Sequence, residues 1–298
     1  MLINSGNLRS LGTGFKANFS TGLAMATPDH LQIATEVTST TGKEEYGWLG
    51  QVPGMREWLG DRVIQNIMTH DYAIKNKDWE LTIGVKRNDI QDDNIGIYAP
   101  LFQEMGRAVT AHPSQLCYPA LKAGFSTICY DGQYFFDTDH PVLDENGVLQ
   151  SVANTDGGSG APWFIIDDTR AIKPIIFQKR KVADFVAMDN PDDESVWRRK
   201  EFEYGVDTRD NVGYAFWQFA WGSKQPLTPA NFEIGLAALQ NMKGDYGRPL
   251  GLGANPLLVV SPTLRSAGTK IVKSDVDASG ASNANKDAAR LFVTPWLA

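Results

Sequence analysis

The chain has 298 residues, 42% of them hydrophobic, enough to bury a substantial core as one large domain or two smaller ones. Its 28 basic side chains against 35 acidic ones leave a net charge of minus 7, which argues against a surface that wraps nucleic acid by neutralising phosphates. No apolar run approaches the roughly 18 residues a membrane span needs, and no charged-then-apolar leader follows Met1, so membrane and secretory roles are both unsupported.

Residues 1–45 are rich in Ser, Thr, Gly and Asn. Leu11, Phe15, Phe19 and Leu23 recur every fourth position, which permits a short amphipathic helix, but Gly12, Gly14 and Gly22 weaken it by roughly 1 kcal/mol each relative to Ala. The segment therefore reads as an arm that orders on a partner. From Tyr46 the texture changes: residues 46–62 combine Trp48, Met55, Arg56 and Trp58 with several glycines. Aromatics and Arg dominate buried contacts between proteins, so an exposed version of this stretch would be adhesive.

Trp79, Leu81, Ile83 and Val85 alternate with polar or small residues, the period of a half-buried strand. Upstream, residues 72–74 lie across the polar break 75–78, so the two runs read as arms of a hairpin. After the acidic stretch 89–94, Leu101, Met105, Ala108 and Val109 fall on one face of a helix that starts near Tyr98. Pro113 should end or kink it, and residues 114–122 can resume it before Gly124. A further hairpin is expected across Asp131 and Gly132, followed by a loop from Asp137 to Pro141. Residues 154–160 contain three glycines and no apolar side chain, and read as a flexible linker.

Past it, residues 163–166, 172–177, 202–206 and 214–221 read as strands. Thr228 as N-cap, Pro229 at the first helical position and the inward Phe232, Leu236, Leu239 and Met242 define a helix that stops before Gly244. Residues 257–260 form an apolar strand, 264–272 a helix, 274–287 a polar surface loop and 291–293 a last strand. Helices and short strands in this order give an α+β fold, and no repeat is evident at periods of 20 to 50 residues.

Several polar groups could carry chemistry. Cys117 and Cys129 are the only cysteines, too few for a disulfide framework and lacking the paired spacing of a zinc site. Either could serve as a nucleophile with His112 or His140, yet a lone Cys among apolar neighbours is more often a small core residue. Asp137, Asp139 and His140 could ligate a divalent ion, although loop capping is the commoner use of such residues. Asp92 and Asp93 could act as acid and base, or serve the N-terminal dipole of the following helix. Lys179 to Lys181 and Arg198 to Lys200 lie among acidic residues and read as salt-bridged or solvated faces. Neither a cofactor nor a metal is expected.

Four segments taken together resemble the major head subunits of Mu-type tailed bacteriophages: residues 48–62 around Met55, Arg56, Glu57 and Trp58; residues 92–98; residues 130–136 with His140 and Pro141; and residues 245–250 ahead of 257–262. The resemblance runs from about Tyr46 to the C-terminus. It implies the tailed-phage major capsid fold first seen in phage Hong Kong 97, with an N-terminal arm, an extended loop, a peripheral domain bearing a long spine helix, and an axial domain. Placed on this chain, these are residues 1–45, 46–90, 91–221 and 222–298, the last including a C-terminal return strand. The resemblance further implies a non-enzymatic subunit that forms hexamers and pentamers of an icosahedral head around packaged double-stranded DNA, assembled in the host cytoplasm. Its implied partners are other copies of itself, a scaffolding protein, a head maturation protease, the portal and a decoration protein. The residues expected at contacts between subunits are Trp48, Met55, Arg56, Trp58, Trp79 and Leu81. Two other readings are a minor head or decoration protein, and a soluble α+β hydrolase using the loop from Asp137 to His140.

Overall fold

A computed structural model describes residues 1–47, 49 and 72–298. In chain order the first half comprises α1 (Ser5–Leu23), β1 (Ala34–Thr38), β2 (Lys43–Glu45), β3 (Ala73–Lys75), β4 (Lys77–Lys86), α2 (Arg87–Gln91), α3 (Ala99–Ala123), β5 (His140–Leu143) and β6 (Leu149–Val152). The second half adds β7 (Thr155–Gly158), β8 (Trp163–Ile166), β9 (Ile175–Met188), α4 (Glu194–Arg199), β10 (Glu201–Tyr214), β11 (Ala220–Lys224) and α5 (Pro229–Gln240). It closes with β12 (Lys243–Gly244), β13 (Arg248–Pro249), β14 (Leu257–Val260), α6 (Arg265–Val272) and β15 (Arg290–Val293). The α+β class expected from the sequence is what is found.

Two sheets organise these elements. A four-stranded sheet runs β1-β9-β10-β4, and a five-stranded sheet runs β15-β14-β8-β11-β7. The first is built on a long hairpin: β9 and β10 pair antiparallel with α4 at their tip, and β4 adds itself along the outer side of β10 from Glu201↔Lys86 to Asp210↔Lys77. The second is fully buried along β8 and β14, whose eight residues are all apolar, as strands covered on both faces must be.

Each sheet has its own core. Beneath the hairpin sheet, Leu8, Leu11, Phe15 and Phe19 of α1 meet Phe102 and Met105 of α3 and Phe202 and Tyr204 of β10. Phe15 stacks on Phe102 at 4.2 Å and meets Tyr204 edge-on at 5.1 Å, the offset arrangements aromatic rings prefer. The larger core surrounds the five-stranded sheet, where α5, α6 and the C-terminal half of α3 cover Trp163, Phe164, Leu258 and Val259.

Several expectations are corrected. The N-terminal segment does not wait for a partner: α1 packs on α3 of its own chain, its start capped by Asn4, whose side chain accepts from the Asn7 N–H at 2.8 Å. One of its glycines is a contact and not a weakness, because Gly22 lies directly against the backbone of α3. Residues 72–86 do not form a hairpin with each other; β3 pairs with β2, and β4 with β10. The helix runs unbroken through Pro113 and Pro119, because a proline removes one backbone bond per site while the buried Ala111, Ser114, Cys117 and Tyr118 keep the axis packed on both sides. Its inward stripe begins at Phe102, leaving Leu101 exposed. Around Gly132 there is a tight turn with a single bridge between Ile128 and Tyr134, short of a hairpin.

The expected linker at 154–160 is also corrected. Residues 155–158 are β7, the edge strand paired parallel to β11, with Asn154 fully buried and its side-chain amide donating to the carbonyls of Phe135 and Trp217. Glycine is required there by proximity: a Cβ on Gly158 would lie 2.4 Å from the carbonyl carbon of Lys224, and its φ is +101°.

Candidate assembly surface

Of the six expected contact residues, Trp48, Met55, Arg56 and Trp58 lie outside the described residues. Trp79 and Leu81 are placed on β4, opposite Thr208 and Val206 of β10. They share the wall of a groove of about 440 Å³ between the sheet and α3, with Val109 and His112 across from them and Val182 at its end. Leu81 is 39% exposed, an apolar side chain at the mouth of this groove.

Trp79 is half-buried and held at two points. Its indole Nε1–H donates to the Asp210 carbonyl at 3.4 Å, and its ring meets His112 edge-on at 4.9 Å. His112 Nε2 lies 3.1 Å from Asp210 Oδ1, so one aspartate ties β10 to α3 and frames the tryptophan. At the far wall His30 is 2% exposed, with Nε2 3.1 Å from Glu36 Oε1. Burial lowers the His30 pKa below its ordinary value, and the hydrogen bond to Glu36 opposes that only in part.

Two further surfaces were not anticipated from the sequence. Trp197 on α4, at the tip of the long hairpin, is 87% exposed. A large aromatic so uncovered is unusual on a protein that stays alone in solution. Beyond Lys179 the outer edge of β9 has no strand partner among the described residues, and it carries the exposed Val182, Val186 and Met188. Unpaired edges of this kind are templates for another chain. The signal for Trp197 was present as a Trp between Val196 and Arg198, but a short helix at a hairpin tip leaves no periodicity to read.

The candidate chemistry is rearranged by the fold. The Cys117 thiol is buried, and burial followed by the charge of Asp210 pushes it up, away from the thiolate a nucleophile needs. Asp137, Asp139 and His140 do not converge. Asp137 accepts from the backbone N–H groups of Tyr134 and Thr138, which is loop capping, and Asp139 accepts from the Ser151 hydroxyl. Asp92 ends α2 and Asp93 takes a left-handed φ of 61°, so neither stands at the start of α3. The basic runs are answered within the chain: Lys181 by Asp207, Arg198 by Glu194 at 2.7 Å and Arg199 by Glu203 at 3.5 Å.

His140 instead joins residues nine and eleven positions upstream, Asp131 and Cys129. His140 Nδ1 lies 2.7 Å from Asp131 Oδ2, and the Cys129 thiol donates to Asp131 Oδ1 at 3.0 Å. Burial first, then the Asp131 charge, pushes that thiol far up. The Cys–His contact that would generate a nucleophile is replaced by a thiol held on a carboxylate, so this cluster is not arranged for acyl transfer. Among the described residues no helix is long and apolar enough to cross a membrane.

Comparison with known proteins shows the family. Residues 8–297 match the family described as Mu-like prophage major head subunit gpT. The chain is 44% identical over 278 residues to the Mu-like prophage FluMu major head subunit of Haemophilus influenzae, covering 91% of this chain and 90% of the relative. It is 39% identical over 307 residues to the major capsid protein of Escherichia phage Mu, covering both in full. The fold matches a subunit from the procapsid of bacteriophage JBD30 with a TM-score of 0.87 and 46% identity, covering 99% of this chain and all of the other.

Proposed function

This chain belongs to the Mu-like prophage major head subunit family, and from that premise we propose that its copies tile a closed icosahedral head as hexamers and pentamers around packaged double-stranded DNA. The observation that carries the proposal is a family match spanning nearly the whole chain. The mechanism is association. A shell is made from repeated contacts in which each surface meets a different surface of its neighbour, and the rotation between copies decides whether rings close. The groove beside Trp79 and Leu81, the exposed Trp197 and the open edge of β9 are the surfaces that such contacts would cover, together with Trp48, Met55, Arg56 and Trp58.

The division into an arm (1–45), an extended loop (46–90), a peripheral domain (91–221) and an axial domain (222–298) belongs to the same proposal. So do the partners: a scaffolding protein and protease during assembly in the host cytoplasm, the portal at one vertex, and a decoration protein outside. The net charge of minus 7 suits a lining that must not grip the DNA it contains. The role is structural, with no reaction assigned. Purifying the chain with its scaffolding partner and imaging the product by negative stain tests this reading: capsomers or shells support it. Copy number per particle separates a shell subunit from a minor head protein.

A further inference from the structure

The cluster of Cys129, Asp131 and His140 is not among the surfaces proposed for assembly, yet it is built like a ligand set. Its three donor atoms, one thiol sulfur, one carboxylate oxygen and one imidazole nitrogen, lie within 4.8 Å of one another. All three side chains are nearly withdrawn from water, with His140 at 0% and the Asp131 side chain at 5% exposure. We propose that Cys129 Sγ, Asp131 and His140 Nδ1 bind a divalent thiophilic cation of the zinc class, which pins the turn at 129–133 to the start of β5.

Four features carry this. The donor set is the mixture of sulfur, imidazole and carboxylate that such cations select over magnesium or calcium, which take oxygen. The charges close: a thiolate and a carboxylate balance a dication beside a neutral imidazole, so the buried site ends neutral and the desolvation cost of an unpaired charge is avoided. The ligands are held from behind. His140 stacks on Trp217 at 3.9 Å with planes 9° apart, and Asp131 Oδ1 also accepts from the Gln133 N–H at 3.1 Å, the support that ligating groups ordinarily receive from their surroundings.

The fourth is that His140 has a second tautomer to move to. His140 Nε2 is buried and makes no hydrogen bond among the described residues. The contact to the Asp131 carboxylate places the proton on Nδ1 in the ion-free chain, and ion binding calls for the other tautomer, with the proton on Nε2 and the Nδ1 lone pair on the ion. Binding is then a replacement. The Cys129 proton leaves to solvent, the histidine proton resides on Nε2, and the Asp131 carboxylate exchanges two accepted hydrogen bonds for a bond to the cation. Opening the present 2.7 and 3.0 Å contacts to ligand spacing takes less than an ångström of movement. A water completes the fourth position.

The test uses the full chain, stripped with a chelator under reducing conditions and titrated with cobalt(II), whose thiolate charge-transfer absorption reports a Co–S bond. The expected result is one equivalent bound per chain, displacement by zinc, and a rise in Tm on adding zinc. Cys129→Ala and Asp131→Asn should each lose the absorption, while Cys117→Ala, the other buried thiol, should keep it. If Cys129→Ala does not fold, wild type against Cys117→Ala still decides. Absence of the thiolate band in the wild type, or its loss in Cys117→Ala, overturns the proposal.

Discussion

Gly22 of α1 and Gly106 of α3 meet where the two helices cross: a Cβ on Gly22 would fall 2.0 Å from the Gln103 carbonyl oxygen, and one on Gly106 would fall 2.2 Å from the Phe19 carbonyl oxygen. Neither neighbour is a side chain that can swing aside. The backbones themselves touch, and this contact holds the N-terminal helix on its own subunit.

It follows that Gly22→Ala or Gly106→Ala forces α1 off α3 and costs about 1–3 kcal/mol or more in overpacking. Gly14→Ala is the control, because nothing lies within 4 Å of its Cβ position, and there the change should stabilise by roughly 0.5–1 kcal/mol through helix propensity. Thermal denaturation of the three variants checks this; equal Tm values for Gly22→Ala and Gly14→Ala would refute the crossing.

Leu81 and Trp197 should separate assembly from folding. Trp197 at 87% exposure contributes little to the isolated fold, so Trp197→Ser should shift stability by no more than about 0.5 kcal/mol. Leu81→Asp places a charge at the mouth of the groove on a strand position that is already 39% exposed, so it too should fold. In both variants the yield of sedimenting shells should fall about tenfold or more, as loss of a contact anchor worth roughly 2 kcal/mol implies. Circular dichroism beside sucrose-gradient sedimentation reads the two effects apart.

His30 should make stability depend on acidity. Its folded pKa lies below its unfolded value, because burial disfavours the cation, so the unfolded chain binds the proton more readily. The contribution is present above the unfolded value of about 6.5 and is lost as pH falls from there toward the folded value. Urea denaturation between pH 7.5 and 5 should show a smaller decline for His30→Gln than for the wild type. A parallel decline would mean that other groups carry the acid sensitivity.

Removing the carboxylate of Asp210 should loosen the groove. Asp210→Ala leaves His112 without its partner, so the ring on which Trp79 rests is no longer anchored. The expected cost is about 1–3 kcal/mol. A red shift of tryptophan emission would accompany it, as Trp79 gains access to water.

How much of this was legible in advance depends on where each signal resides. The helix at Thr228 and Pro229 and the strand at 257–260 carry their own punctuation, a cap and flanking prolines, and both lie where expected. Strands 73–75 and 77–86 were recognisable as strands, but their partners are residues 43–45 and 201–210, and pairing across a long stretch of intervening chain, more than a hundred positions for the second, leaves no local mark. Glycine misled twice. In α1 and in β7 it was read as looseness, whereas in both places it permits backbone contact. The cluster at Cys129 was missed for the same reason as the strand partners: His140 was matched with the acidic residues beside it in the chain, while the turn at Gly132 delivers Asp131 and Cys129.

Self-assembly is the claim on which the account rests, and the most direct measurement is the sedimentation of the purified chain, co-expressed with its scaffolding protein, combined with negative-stain imaging of the fastest fraction. The account predicts rings of five and six subunits and closed shells. A single boundary at the mass of one subunit, under every solution condition and with no particles in the images, would contradict it.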